Sequence, residues 1–149
     1  MQTIELENSV LIPAVGKLIR QGRTVTLRVK GRSMSPFVHD GEDRAVIEAC
    51  TNVKVGDALL VLTTDRRYVL HRLIRIDGDT LTLKGDGCLR GTENCTRANI
   101  IGRVAAFIRP SDTTYSTSGT VWRLYSWIWM HTGYWFHRIV LGVWRRICR

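Results

Sequence analysis

The chain has 149 residues, 44% hydrophobic and 23% charged, which is the composition of a folded domain and excludes disorder as a description of the whole. Its net charge of +9 is held unevenly: residues 1–120 carry 17 Lys/Arg and all 13 Asp/Glu. Residues 121–149 carry five Arg, no acid and all five Trp, so half of the basic excess lies in an aromatic tail, and no nucleic-acid partner is expected.

The opening residues, MQTIELENSV, hold two acids and no basic stretch, unlike a secretory leader. Asn8 and Ser9 suit a helix N-cap, and Val10, Leu11, Val15, Leu18 and Ile19 follow at helical spacing before Gly22. This predicts one short helix with Pro13 in its first turn. From Thr24 the period becomes two, with Val25, Leu27 and Val29 alternating with Thr26, Arg28 and Lys30, which predicts an amphipathic strand. Apolar runs recur at 45–47, 58–62, 68–76, 80–83 and 100–108, the third and fourth separated by the hairpin signal Asp77-Gly78-Asp79. Five or six strands joined by short loops predict a mainly β fold, a coiled antiparallel sheet or partial barrel. Residues 110–119, PSDTTYSTSG, have linker composition. The expected organisation is a domain at 1–109, a linker at 110–120 and a helical tail at 121–149.

Cys50, Cys88, Cys95 and Cys148 are dispersed and form no Cys-x-x-Cys pair. Neither a zinc ribbon nor a dense disulfide framework is expected, and no metal or other cofactor. Nothing before residue 120 approaches the roughly 20 apolar residues of a bilayer span, so the body is expected in the cytoplasm with free thiols.

The stretch Gly31-Arg32-Ser33-Met34-Ser35-Pro36 closes the first predicted strand. Taken alone it reads as a turn. It is followed in order by Lys54-Val55-Gly56-Asp57, by Val69-Leu70-His71-Arg72, by Lys84-Gly85-Asp86-Gly87 and by Ile101-Gly102-Arg103-Val104. This ordered set resembles the serine peptidase superfamily of signal peptidase I and the self-cleaving SOS repressors, over roughly residues 25–108. The resemblance implies a signal-peptidase-type sheet, Ser33 as nucleophile and His71 as its general base, in the His-Arg variant of archaeal and endoplasmic-reticulum-type signal peptidases. A histidine suits the role because its ordinary pKa of about 6.5 needs little tuning, whereas a lysine must be desolvated. Relatives of the His type place an acid where this chain has Thr92, so Glu93 or Asp86 is expected to orient His71. Gly31 stands where many signal peptidases have a second serine, which leaves the backbone N–H groups of Ser33 and Met34 to form the oxyanion hole. Ser35 is expected in turn chemistry, His39 in solvent, and Asp40, Asp43 and Asp57 at turns and strand edges.

In the tail, Arg138, Gly142, Arg145 and Arg149 fall on one side of a helix, and Trp129, Phe136, Ile139, Val140, Val143 and Ile147 mostly on the other. This pattern fits a helix or helix pair lying peripherally on an anionic inner membrane surface. It fits, second, a helix packed on the domain's own sheet or a dimer contact, and least a true span from Leu124 to Trp144, which would place His131, His137 and Arg138 at depth. The tail is expected to determine location, and its removal after Gly119 to leave a competent domain. The expected activity is that of a serine endopeptidase trimming leader or exported peptides at the cytoplasmic face, with a peptide or protein as partner. The alternatives are a self-cleaving regulator and a non-catalytic peptide-binding module on the same fold. Too few residues precede the first strand for a DNA-binding helix-turn-helix, and neither Ala-Gly nor Cys-Gly, the self-cleavage dipeptides, occurs.

Overall fold

A computed structural model describes residues 8–148, with side chains from residue 10. The leader reading at residues 1–7, the capping side chains of Asn8 and Ser9, and Arg149 lie outside the described residues. Helix α1 (Asn8–Arg20) buries Ile12, Val15 and Ile19, the i, i+3, i+7 stripe of an amphipathic helix. Pro13 lies inside this helix and not in its first turn. Its ring is exposed, and it forgoes one backbone hydrogen bond near the helix start.

Strands β1 (Val25–Arg28), β2 (Arg44–Glu48), β3 (Ala58–Leu62), β4 (Tyr68–Asp77), β5 (Thr80–Lys84), β6 (Glu93–Thr96) and β7 (Ile100–Ile108) form one sheet. Their order is β1-β2-β7-β3-β4-β5-β6, every pairing antiparallel. The fold is thus mainly β, a curled antiparallel half-barrel with a short N-terminal helix and C-terminal helices. Register shifts at Val46/Ile47, Leu60/Val61 and Leu73/Arg75 are bulges that bend and twist the strands. The Gly78-Asp79 turn joins β4 to β5 in register Asp77↔Thr80, with Gly78 at φ 60°, as the hairpin signal requires.

Strand β3 reads Ala-Leu-Leu-Val-Leu without alternation because it is covered on both faces. Ala58 and Leu60 join a cluster with α1, Phe107 and Met34 on one side. Leu59 and Val61 join Leu73, Leu81, Leu83 and Cys95 on the other.

The expected linker is corrected in part. Residues Thr114–Ser116 form strand β8, which pairs with β7 through Ala106↔Ser116, Phe107↔Tyr115 and Ile108↔Thr114. The polar composition marks the preceding turn, closed by Arg109 and Thr113 backbone bonds with Asp112 at φ 63°; the strand behind it takes up the ladder positions of β7 that lie beyond β3.

Helices α2 (Thr120–His131) and α3 (Tyr134–Ile147) follow as a hairpin. Their inner side is core. Trp122 belongs to the same buried cluster as α1, 5.1 Å from the rings of both Phe37 and Phe107, and Tyr125 stacks on Phe37 at 4.9 Å. Among the described residues no helix is long and apolar enough to cross a membrane.

This packing reverses the expectation for tail removal. Trp122→Ala should cost about 3–5 kcal/mol, read by denaturant unfolding followed by circular dichroism. A chain ending at Gly119 should lose the cooperative transition altogether; native-like melting of that truncated chain would refute the assignment of α2 to the core.

Candidate active site

The alternation of β4 sends adjacent side chains to opposite faces of the sheet. His71 is paired with Leu59 and shares the face of the second cluster, whereas Arg72 is paired with Ala58 and points toward α2. Both are buried.

A buried guanidinium requires compensation at every donor it can satisfy. Arg72 Nε and Nη2 donate to the two oxygens of Asp86 at 2.8 and 2.7 Å, a bidentate pair. Its Nη1 donates to the Gly56 carbonyl at 3.0 Å and to Ser126 Oγ at 2.7 Å. The Tyr125 hydroxyl donates to Asp86 at 2.7 Å, and the guanidinium carbon lies 4.7 Å from the Trp122 ring centroid. Burial opposes the charge on Arg72, yet the Asp86 carboxylate holds it more firmly protonated than usual. The Tyr125 phenol is pushed upward, by burial first and by Asp86 second.

Asp86 lies between two glycines, and both are sterically required. A Cβ on Gly87 would stand 2.1 Å from the Arg32 carbonyl oxygen; one on Gly85 would stand 2.4 Å from the Ser33 carbonyl oxygen and 3.2 Å from His71 Cδ2. The Gly87 N–H donates to the Ser33 carbonyl at 2.8 Å. The Gly-Asp-Gly turn therefore brings the Ser33 backbone and the His71 ring against one point, while the aspartate between the glycines is tied to Arg72.

Residues 31–43 form a compact loop. Gly31, at φ 93°, donates its N–H to Asp40 at 2.6 Å, and Ser35 donates its backbone N–H to the Arg32 carbonyl at 3.2 Å. The Ser35-Pro36 bond is cis. Met34 and Val38 are buried in the first cluster and anchor the loop, while Ser33 is half-buried at its outer turn. Among the described residues neither the Ser33 nor the Met34 backbone N–H donates a hydrogen bond.

Burial pushes the His71 imidazole below its ordinary 6.5, against the opposing pull of Glu93 and then Asp86. The ring is therefore neutral at neutral pH, as a general base must be. Its Nδ1 is buried and has no hydrogen-bond partner. Neither expected carboxylate touches the ring in this structure. Both Asp86 oxygens are held by Arg72 and Tyr125, on the side of the sheet away from His71. Glu93, opposite Leu83 in the register, shares the face of His71, but it accepts from Arg67 Nη2 at 2.7 Å.

Sequence reasoning missed three features around this site. Asp43 is fully buried and bridges the His39 N–H and the Arg109 guanidinium, which closes the loop onto the end of β7. His39 is half-buried and lies 4.9 Å from the Trp144 ring. Arg72 reads in the sequence only as the companion of His71, and the partners that explain it, Tyr125 and Ser126, lie more than 50 residues away. The four cysteines are unpaired, and among the described residues no group of three or more His, Cys, Asp or Glu side chains could hold a metal ion.

A family model described as Peptidase S24-like matches residues 2–105. The chain belongs to this family, that of the self-cleaving SOS regulators and signal-peptidase-like serine peptidases. No curated protein matches the chain. The matched region ends inside β7, so β8 and the α2–α3 hairpin that covers the Arg72–Asp86 pair lie beyond it.

Two substitutions test this S24-like architecture. Asp86→Asn leaves a buried cation unpaired and should destabilise the fold by about 3–5 kcal/mol in urea unfolding; a loss below about 1 kcal/mol would mean the pair is not structural. Gly87→Ala places a methyl on the Arg32 carbonyl and should displace Ser33, abolishing any peptidase activity; wild-type turnover by Gly87→Ala would show that the turn does not position the serine.

Proposed function

We propose that this chain is a serine endopeptidase in which Ser33 is the nucleophile and His71 the general base, and that it trims leader or other exported peptides on the cytoplasmic side. The observation that carries the reading is the meeting of the Ser33 loop and the His71 ring at the Gly85–Gly87 turn, with the imidazole neutral and partly desolvated. A serine peptidase needs such a pair, since a serine hydroxyl is a weak nucleophile until a neighbouring base accepts its proton.

In this mechanism His71 removes the Ser33 hydroxyl proton as Oγ attacks the scissile carbonyl carbon. The negative charge that develops on the carbonyl oxygen is met by the Ser33 and Met34 N–H groups. His71 then returns the proton to the leaving amine, and water, deprotonated by the same ring, hydrolyses the acyl-enzyme. Glu93 acts here through its charge: it favours the imidazolium formed in each proton transfer, from the same face of the sheet and with Arg67 moderating it. The substrate class is supported by the motif order shared with signal peptidases.

Full-length protein incubated with a mixed peptide library, with cleavage read by mass spectrometry, tests the assignment. Ser33→Ala should fall to background with an unchanged unfolding midpoint, and His71→Ala should lose about 10²–10⁴-fold in turnover while still unfolding cooperatively. Either variant cleaving at the wild-type rate would remove that residue from the mechanism.

The pH profile supplies a separate test. The base works only when neutral and its pKa is depressed below 6.5, so the acid limb of kcat/KM should fall below pH 6.5. Glu93→Gln removes a charge that raises this pKa and should move the limb further down. Stability follows the same linkage: His71 costs the native state nothing above 6.5, and destabilises it as pH falls from there through the folded value, because the unfolded chain binds the proton first. An acid limb above pH 6.5 would exclude His71 as the titrating base.

A further inference from the structure

The hairpin has a second side. Eleven large hydrophobic residues are exposed among the described residues, and nine of them lie on α2 and α3. Leu124, Trp127 and Ile128 on α2, and Trp135, Ile139 and Ile147 on α3, recur at spacings of three, four and eight residues, so each helix carries an outward apolar stripe opposite its buried one. Trp127, Trp135, Ile139 and Ile147 are 61%, 69%, 65% and 74% exposed. Exposed hydrophobic side chains scattered singly need no explanation, but an apolar stripe along each of two successive helices does.

Contacts within the helices and with the domain hold the face outward. The His137 Nε2–H donates to the Trp129 carbonyl at 2.8 Å and its ring stacks on Trp129 at 4.0 Å; Thr132 Oγ1 caps the Ile128 carbonyl at 2.8 Å. Trp122, Trp129 and Leu141 fix the inner side to the domain. The stripe therefore cannot turn inward to hide.

Its electrostatics are one-signed. No acid occurs after Asp112; Arg146 is exposed seven residues after Ile139, on the same side of α3, and Arg138 lies over the Trp135 ring at 5.5 Å, whereas Arg145 turns toward the domain and lines a cleft with His39 and Leu141. Arginine and indole beside an aliphatic stripe match the headgroup boundary of an anionic bilayer, where the guanidinium meets phosphate and the indole spans the polar–apolar transition. The helices have 12 and 14 residues, about 18 and 21 Å in length, against a hydrocarbon core of about 30 Å. They are suited to lie in the interface and too short to cross it.

We propose that the outward sides of α2 and α3 dock on an anionic membrane surface, with Trp127, Trp135 and Ile139 inserted among the headgroups and Arg138 and Arg146 paired with lipid phosphates. The inference does not depend on the peptidase reading, and Ser33→Ala should bind vesicles as the parent chain does.

The test is co-sedimentation of the full-length chain with vesicles of phosphatidylcholine alone and of phosphatidylcholine mixed with phosphatidylglycerol. Binding to the mixed vesicles is expected at about 0.1 M salt and should weaken strongly at about 1 M. The double variant Trp135→Ser/Ile139→Ser should bind at least about tenfold less tightly, and Arg138→Gln/Arg146→Gln should lose the preference for anionic lipid, both with parental melting curves. Three results would overturn the proposal. One is a chain that stays in the supernatant with anionic vesicles at low salt. Another is binding that ignores both pairs of substitutions. The third is a concentration-dependent dimer in free solution that Trp135→Ser/Ile139→Ser dissociates, which would assign the face to a second copy of the chain.

Discussion

A guanidinium buried inside the sheet governs the arrangement of this molecule. Arg72 cannot be left uncompensated at that depth, and satisfying it recruits parts of the chain that are distant in sequence: Asp86 from the turn after β5, the Gly56 carbonyl before β3, and Ser126 and Tyr125 from α2. Because Asp86 is fixed, so is the turn around it. Because that turn has glycines on both sides, the Ser33 loop settles onto it with the His71 ring alongside. The ion pair thus acts on the Ser33 loop and the His71 ring indirectly, from the opposite face of the same strand.

The two glycines illustrate a distinction that applies across the loop. Gly31 and Gly41 have positive φ and serve conformation. Gly85 and Gly87 do not, and their requirement comes from backbone passing within contact of backbone. A substitution at the first kind strains a turn; at the second it separates two segments that must touch.

Much of this was legible in the sequence, for reasons that can be stated. Period-two alternation at 25–29, the bounded apolar runs and Asp77-Gly78-Asp79 located β1 to β5 and β7 because burial on a pleated surface writes itself directly into residue order. β6 and β8 escaped notice, since Glu93–Thr96 and Thr114–Ser116 are short, edge-like and polar; they exist because neighbouring ladders need partners. Ser33, His71 and the Gly-Asp-Gly turn were visible as an ordered set of motifs. The partners of Asp86, the bridging by Asp43 and the engagement of Glu93 by Arg67 were not, because each is a long-range contact between residues whose types are ordinary where they stand. For the amphipathic tail, the helical pattern left a membrane surface, the domain's own sheet and a dimer contact open. The tail has two apolar sides, and a helical pattern alone does not say that one of them is spoken for by the domain.

The interlock of α2 with the first-made parts of the chain has a consequence for biosynthesis. Trp122 shares a buried cluster with Ile12 and Val15 of α1, so one core joins residues more than 100 positions apart in the chain. On the ribosome the seven sheet strands emerge well before their cover, and Arg72 and Asp86 meet while one side of the pair still faces water. Contacts of such sequence separation close late. Completion of the core therefore waits for α2 to leave the ribosome, and until then the Arg72–Asp86 pair stays open on one side.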